Sequence, residues 1–93
     1  MNKIFKVGLI GCGHISETYF RGHDYFNNFQ IIKCADINIE NAKKCAETYG
    51  IESCSVDGLL NDSEIEIILN LTIPRAHYEI AKKSLDHGKH VYS

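Results

Sequence analysis

The run Val7-Gly8-Leu9-Ile10-Gly11-Cys12-Gly13-His14-Ile15-Ser16 decides the fold predicted for this chain. Residues Phe5 to Ile10 are nearly all apolar and stop at a glycine, which predicts a strand buried on both faces of a sheet. Beyond the glycines, apolar residues recur at three-to-four spacing from Ile15 to about Tyr25, which predicts a helix. The sequence therefore predicts a strand, a tight turn and a helix in direct succession.

The glycine turn has the layout of a phosphate-binding loop. Gly11 permits a tight turn, and Gly13 lets the backbone approach a pyrophosphate. The N–H groups of His14 and Ile15 are predicted to donate to that pyrophosphate at the positive end of the helix. Ser16 takes the third position of the pattern, where a small side chain keeps helix and strand close. A glycine turn also occurs where a strand and a helix merely pack together, so a second signal is needed.

Asp36 supplies that second signal. It follows the apolar stretch Phe29 to Ala35, a second predicted strand, at a distance that lets its carboxylate accept hydrogen bonds from both hydroxyls of an adenosine ribose. The alternative is a solvent-facing carboxylate at the start of the helix that Asn38 caps. An acid here repels a 2′-phosphate, and neither Ile37 nor Asn38 supplies an arginine for one. NAD is therefore predicted as the cofactor in preference to NADP.

The rest of the chain continues to alternate strands with helices. The predicted elements are a helix over Ile39 to Tyr49 between Asn38 and Gly50, a strand over Ser53 to Val56, a helical turn over Asp57 to Asn61, a strand over Glu64 to Leu71, a helix over Arg75 to Asp86 between Pro74 and Gly88, and a strand over Lys89 to Tyr92. Ile80, Ala81 and Leu85 are predicted to face inward. This order predicts an α/β fold, a Rossmann-type parallel sheet in the order 3-2-1-4-5 with helices on both faces.

Composition and charge exclude several classes of protein. An apolar fraction of 44% and a charged fraction of 24% are ordinary for a soluble globular domain. A formal net charge of −2, with acids and bases mixed, provides no basic stripe for a nucleic acid. The chain has no apolar run of the ~18 residues that a membrane span needs, and its first residues lack the layout of a secretory signal. We expect a cytoplasmic protein with no nucleic-acid or membrane partner.

Other ligand chemistries fit the sequence less well. A P-loop needs Lys followed by Ser or Thr after its glycines, and methyltransferases that bind S-adenosylmethionine tend to carry an acid just before the first glycine, where this chain is apolar. The cysteines form no Cys-x-x-Cys pair and have no histidine at metal-ligand spacing; they are Cys12, Cys34, Cys45 and Cys54. We interpret them as small apolar residues in a reducing compartment, and no metal site is predicted.

Four blocks of sequence indicate a family when they are taken together. They are Val7 to Ser16, Asp36 after an apolar strand, Thr72-Ile73-Pro74-Arg75-Ala76-His77, and Ala81-Lys82-Lys83-Ser84-Leu85-Asp86-His87-Gly88-Lys89-His90-Val91. In this order and spacing, and over essentially the whole chain, they resemble the Gfo/Idh/MocA family of oxidoreductases. The resemblance implies enzymes that pass a hydride between NAD(P) and a hydroxyl carbon of a sugar, a polyol or a similar small molecule, with a Rossmann domain and a larger α/β domain.

The resemblance also implies roles for the residues after the fourth strand. In the family, the segment matching Leu71 to His77 lines the middle of the cofactor. Thr72 and Pro74 would lie near the pyrophosphate and the nicotinamide ribose, and His77 on the helix just beyond. Arg75 stands where the family usually has asparagine. Read alone, Thr72 and Pro74 equally fit a strand end and a helix start, and His77 fits a polar residue in a first helical turn.

The chain stops at Ser93, where the family continues into a Glu-Lys-Pro motif with a catalytic lysine. We therefore expect residues 1–93 to be the N-terminal portion of an NAD(P)-binding Rossmann domain, with no catalytic residue and no turnover alone. An open sheet edge leads us to expect association between copies. The alternatives are a non-enzymatic NAD-binding or redox-sensing module and a packing domain without nucleotide affinity.

Overall fold

The structure, a computed structural model, describes residues 4–12 and 28–92. Its strands are β1 (Phe5–Ile10), β2 (Phe29–Ala35), β3 (Glu52–Ser53), β4 (Ile67–Asn70) and β5 (His90–Tyr92), and its helices are α1 (Ile39–Tyr49), α2 (Val56–Leu60) and α3 (Pro74–Asp86). The helix predicted between Ile15 and Tyr25 lies outside the described residues. Among the helices described, none is both long and apolar enough to cross a membrane.

All the strands pair in parallel, in the order β3-β2-β1-β4-β5. This confirms the predicted order 3-2-1-4-5. Because parallel strands run the same way, their carboxyl ends meet at one side of the sheet, which we call the carboxyl edge. From β1 the sheet grows in one direction through β2 and β3. The chain then crosses back to place β4 and β5 on the other side of β1, so the direction of strand addition reverses between β1 and β4. Ligands of open parallel sheets bind outside the carboxyl ends at such a reversal.

Helices cover both faces of the sheet, as predicted. Side chains alternate between the faces along each strand, so each face has its own apolar core. The core beneath α2 and α3 contains Ile10, Ala35, Leu59, Leu60, Ile65, Ile68 and Ile80. The core beneath α1 contains Val7, Leu9, Ile31, Cys34, Cys45 and Leu69. Burial of these two sets holds the helices against the sheet.

Gly8 lets α2 come close to β1. A Cβ atom built on Gly8 would lie 2.6 Å from Cδ2 of Leu59 and 3.0 Å from Cδ1 of Ile65. Real Cβ atoms essentially never come within 3.0 Å of another heavy atom, so a larger residue would force the buried Leu59 side chain to move.

The ends of α1 are the ones that the sequence predicted. Asn38 is the N-cap, and its Oδ1 accepts a hydrogen bond from the Glu40 N–H at 3.0 Å. Gly50 has a φ of 67°, which lets its N–H donate to the carbonyl of Ala46. Both caps satisfy backbone groups that the helix leaves unpaired, and so they set its length.

The inward face of α3 differs from the prediction. Ile80 is buried and Ala81 is half-buried, but Leu85 is 62% exposed, so its predicted inward orientation was wrong. Ser84 is buried in its place, and its hydroxyl donates to the carbonyl of Ile80 at 2.7 Å. Ile80 and Ser84 are one helical turn apart and share a face, which turns Leu85 toward the outside. A serine fits here because its hydroxyl is satisfied within the helix.

Two strands are shorter than predicted because polar side chains turn the chain beside them. β3 ends at Ser53, since the hydroxyl of Ser55 accepts from the Gly58 N–H at 2.9 Å and starts α2. β4 begins at Ile67 rather than Glu64, because Oδ1 of Asp62 accepts from the Glu64 N–H at 2.9 Å and holds a turn there.

Two lysines fix the turn around Asp62. The Lys33 ammonium forms an ion pair with the Asp62 carboxylate, which is only 14% exposed. Lys89 is buried, and its ammonium donates to the carbonyls of Asp62 at 2.8 Å and Ile65 at 2.7 Å. The bond from Lys33 lowers the pKa of Asp62 and raises the pKa of Lys33. The turn is thus tied to β2 and to the start of β5.

Candidate functional site

The carboxyl edge brings three segments of the chain together. β1 is followed by Gly11 and Cys12, β2 by Asp36, and β4 by Leu71 and Thr72. The Gly11 N–H donates to the carbonyl of Ala35 at 2.9 Å, so the turn after β1 lies directly beside the end of β2. The predicted residues Gly11, Asp36 and Thr72 therefore share this edge.

Gly11 lies where no other residue fits. Its φ is 100°, a conformation that residues with side chains rarely adopt. A Cβ atom built on it would lie 2.6 Å from the carbonyl carbon and 2.7 Å from the carbonyl oxygen of Leu71. The Leu71 N–H also donates to the carbonyl of Ile10 at 2.8 Å, which holds the two segments together. Gly11 thus makes the tight turn that the sequence predicts. Because it has no side chain, the backbone is bare where the strand order reverses between β1 and β4.

Asp36 is joined to both neighbouring segments by its carboxylate. Oδ2 accepts from the Cys12 N–H at 2.7 Å, and Oδ1 accepts from the Asn38 N–H at 2.8 Å. The first bond fixes the carboxylate against the glycine turn, and the second supports the start of α1. The alternative role that the sequence left open, support for the start of α1, is therefore present beside the contact with the glycine turn.

The Asp36 carboxylate still has acceptor capacity for a ligand. A carboxylate offers about four lone-pair sites, and the two backbone N–H groups use one on each oxygen. Asp36 is half-buried, and Ile37, which follows it, is 74% exposed. An anionic acceptor with two remaining sites, held at the edge of a sheet, fits the vicinal hydroxyls of a ribose.

Asn70 fixes the segment after β4. It is 1% exposed, its Oδ1 accepts from the Thr72 hydroxyl at 2.7 Å and from the Thr72 N–H at 3.3 Å, and its Nδ2 donates to the His77 carbonyl at 2.9 Å. One amide thus links the loop to the first turns of α3. Because the Thr72 hydroxyl donates its proton to Asn70, the lone pairs of the hydroxyl oxygen remain available to accept a hydrogen bond from a ligand.

The amino end of α3 also lies at the carboxyl edge. Pro74 is its first residue, and Ile73 precedes it as an N-cap without a side-chain hydrogen bond. Helix amino ends carry partial positive charge and N–H groups without a helical partner. His77 is half-buried in this first part of the helix. Pro74 and His77 thus belong to the helix that begins just after Thr72.

The structure thus describes five of the eight residues predicted to contact a cofactor. Gly13, His14 and Ile15 lie outside the described residues. Sequence reasoning missed two others, Cys12 and Asn70, which hold Asp36 and Thr72 in place. Asn70 had a signal, since it is a polar residue at the end of an otherwise apolar strand.

Three cysteines meet beneath the glycine turn. The Sγ atoms of Cys12, Cys34 and Cys45 all lie within 4.8 Å of one another. The neighbouring Cys12 thiol lowers the pKa of Cys34, the proximity of Cys34 raises the pKa of Cys12, and burial raises the pKa of Cys45 to about 11. The spacing along the sequence did not indicate this cluster, because its members come from a turn, a strand and a helix.

The fold and the carboxyl edge define a dinucleotide-binding α/β domain of the Rossmann class. Residues 5–93 match the GFO_IDH_MocA family, described as an oxidoreductase family with an NAD-binding Rossmann fold, and the chain belongs to this family. This confirms the resemblance seen in the sequence, and the predicted cofactor, NAD, is the one in the family's description.

Curated relatives and solved structures agree with this assignment. The chain is 31% identical to an L-aspartate dehydrogenase of Methanococcus maripaludis over 95% of its length and 34% of the relative's, and 32% identical to the glucose-6-phosphate 3-dehydrogenase of Bacillus subtilis over 92% and 24%. A biliverdin reductase of Synechocystis, solved with biliverdin and NADP+, has a TM-score of 0.82 at 31% identity over 92% of this chain and 28% of its own. The chain thus spans about a third or less of these proteins.

Proposed function

We propose that this chain binds NAD at its carboxyl edge and is the cofactor-binding part of an oxidoreductase. One observation carries the proposal: the Asp36 carboxylate is hydrogen-bonded to the Cys12 N–H at 2.7 Å and is thereby fixed beside the glycine turn. A ribose bound by this carboxylate brings its pyrophosphate to the turn, where Gly13, His14 and Ile15 would supply the backbone contacts. Thr72, Pro74 and His77 would then line the cofactor toward its nicotinamide end.

The charge at the ribose site supports NAD over NADP. A 2′-phosphate would lie against the Asp36 carboxylate and would be repelled by it. The next residues, Ile37 and Asn38, are exposed and carry no positive charge that could compensate. The related biliverdin reductase was solved with NADP+. In this chain, the residues at the end of β2 favour NAD, the cofactor without the 2′-phosphate.

We further propose that the whole protein transfers a hydride between the nicotinamide and a hydroxyl carbon of a sugar, a polyol or a related small molecule. The similarity to glucose-6-phosphate 3-dehydrogenase supports this substrate class, and the similarity to aspartate dehydrogenases makes an amino acid the competing class. The relatives named above are dehydrogenases and a reductase, which favours an enzyme over a sensing module. NADH formation by the whole protein with glucose 6-phosphate, myo-inositol and L-aspartate separates the classes.

Calorimetric titration of the chain with NAD and NADP tests the cofactor proposal. We expect NAD to bind more tightly than NADP, and Asp36→Asn to weaken NAD binding by about 10- to 100-fold, because hydrogen bonds to a charged acceptor contribute about 1.5–3 kcal/mol. Asp86→Asn is the matched control, since Asp86 is exposed at the far end of α3. Equal NAD affinity in the two variants would overturn the ribose role of Asp36.

A further inference from the structure

The cysteine cluster beneath the glycine turn is the strongest chemical feature that the cofactor site does not use. Its members, Cys12, Cys34 and Cys45, are held by three different elements, and their free thiols meet on the α1 face of the sheet. Cys34 and Cys45 are 0% and 5% exposed, whereas Cys12 is half-buried. The cluster is therefore buried, with one side open through Cys12.

The spacing of the sulfur atoms suits one bound cation. A metal bonded to thiolate sulfurs at about 2.3 Å places those sulfurs about 4 Å apart in trigonal or tetrahedral geometry. The Sγ atoms of the cluster all lie within 4.8 Å of one another, so small side-chain rotations bring them to that separation. The weak contacts that they make now, from Cys12 to the Ala35 carbonyl at 3.5 Å and from Cys34 to the Ala42 carbonyl at 3.4 Å, are easily given up.

We propose that Cys12, Cys34 and Cys45 form a three-thiolate site for a thiophilic divalent cation of the zinc group. Thiolate sulfur is a soft ligand and selects such ions over magnesium or calcium. Within residues 4–12 and 28–92 the cluster consists of these three residues, so three thiolates are the ligands that the described part of the chain provides. The site depends on the thiols alone and does not rest on NAD binding.

Charge favours a dication over a monovalent ion such as Cu(I). A dication leaves one uncompensated negative charge on three thiolates, whereas a monovalent ion leaves two. The Asp36 carboxylate, which accepts a hydrogen bond from the Cys12 N–H at 2.7 Å, adds further negative charge beside the cluster. Burying excess charge of one sign is costly, so the ion that cancels more of it is preferred.

Cadmium titration of the reduced chain tests this site, with zinc as the competitor. We expect one Cd(II) per chain, a thiolate-to-cadmium charge-transfer band in the ultraviolet, a cadmium NMR shift typical of three sulfur ligands, and displacement by excess Zn(II). Cys45→Ser should weaken binding by at least about tenfold, the loss that even an outer-shell substitution can cause. Cys54→Ser is the matched control, because Cys54 packs on the opposite face of the sheet and belongs to another core.

The cadmium titration has outcomes that support the site and outcomes that overturn it. Tight binding that survives Cys54→Ser and is lost in Cys45→Ser supports the site. No uptake by the reduced chain, equal uptake by both variants, or a cadmium shift of two sulfur ligands overturns it. Far-UV circular dichroism checks that Cys45→Ser folds; if it does not, the stoichiometry and the cadmium shift of the unmodified chain decide the question.

Discussion

Gly11 and Leu71 are in backbone contact across the sheet: a Cβ atom on Gly11 would stand 2.6 Å from the Leu71 carbonyl carbon. The turn after β1 and the loop after β4 are therefore packed together without a side chain between them. This contact lies at the carboxyl edge, between the ends of β1 and β4, where the strand order reverses.

Substitution of Gly11 should cost more than substitution of a glycine with a similar backbone. Gly11→Ala meets both a positive φ and the Leu71 backbone, whereas Gly50 has a φ of 67° and open space around its Cβ position. We expect Gly50→Ala to lower the free energy of unfolding by about 1–2 kcal/mol and Gly11→Ala by about 1–3 kcal/mol more. Urea denaturation measures both, and equal losses would contradict the packing argument.

Asn70 should contribute more to stability than an exposed asparagine. Asn70→Ala leaves the Thr72 hydroxyl and the His77 carbonyl without their partner, and we expect a loss of about 2–3 kcal/mol in the free energy of unfolding. Asn61→Ala, which removes an exposed amide bonded to the Asp57 carbonyl, should change it by no more than about 0.5 kcal/mol. Chemical denaturation of both variants tests this, and a small effect at Asn70 would show that the loop is held by other contacts.

Cofactor preference should follow the charge at the end of β2. In an Asp36→Asn background, Ile37→Arg places a guanidinium at an exposed position next to the ribose site, and we expect NADP to bind about tenfold more tightly or better. Ile39→Arg in the same background is the control, since Ile39 is also exposed but lies two residues further along, on α1. Calorimetric titration compares them, and an equal gain in both would point to general electrostatic attraction.

The Asp62 ion pair should make stability fall in acid. The bond from Lys33 lowers the pKa of Asp62 below its ordinary value of 3.8, so the folded state binds a proton less readily than the unfolded state. The stabilisation is therefore complete above that ordinary pKa and is lost as the pH falls through the lower pKa of the folded state. Thermal melts between about pH 6 and pH 2 should show a shallower acid dependence for Asp62→Asn. Parallel curves for variant and parent would disprove this role.

The fold was predictable because it depends on patterns that are local in the sequence. The glycine turn, the apolar stretches and the caps Asn38 and Gly50 define elements without reference to distant residues. The start of β4 and the inward face of α3 were not predictable, because Asp62 and Ser84 satisfy polar groups in ways that apolar periodicity does not reveal.

The candidate site was predictable only in part, for a related reason. Asp36 and Thr72 occupy positions of a known pattern, whereas Asn70 acts on the loop after it from within a strand. The meeting of Cys34 with Cys45 follows from the way α1 lies on the sheet. Such proximity depends on tertiary packing, which spacing along the chain does not encode.

The two hydrogen bonds that the Asp36 carboxylate accepts from the Cys12 and Asn38 N–H groups also constrain how this lineage can change. The residue that would discriminate between cofactors also fixes the turn after β1 and the start of α1. A substitution that removes the charge of this side chain also changes the acceptor for these two N–H groups. A change of cofactor preference at this position therefore also changes the contacts that hold the turn, so we expect the two properties to evolve together.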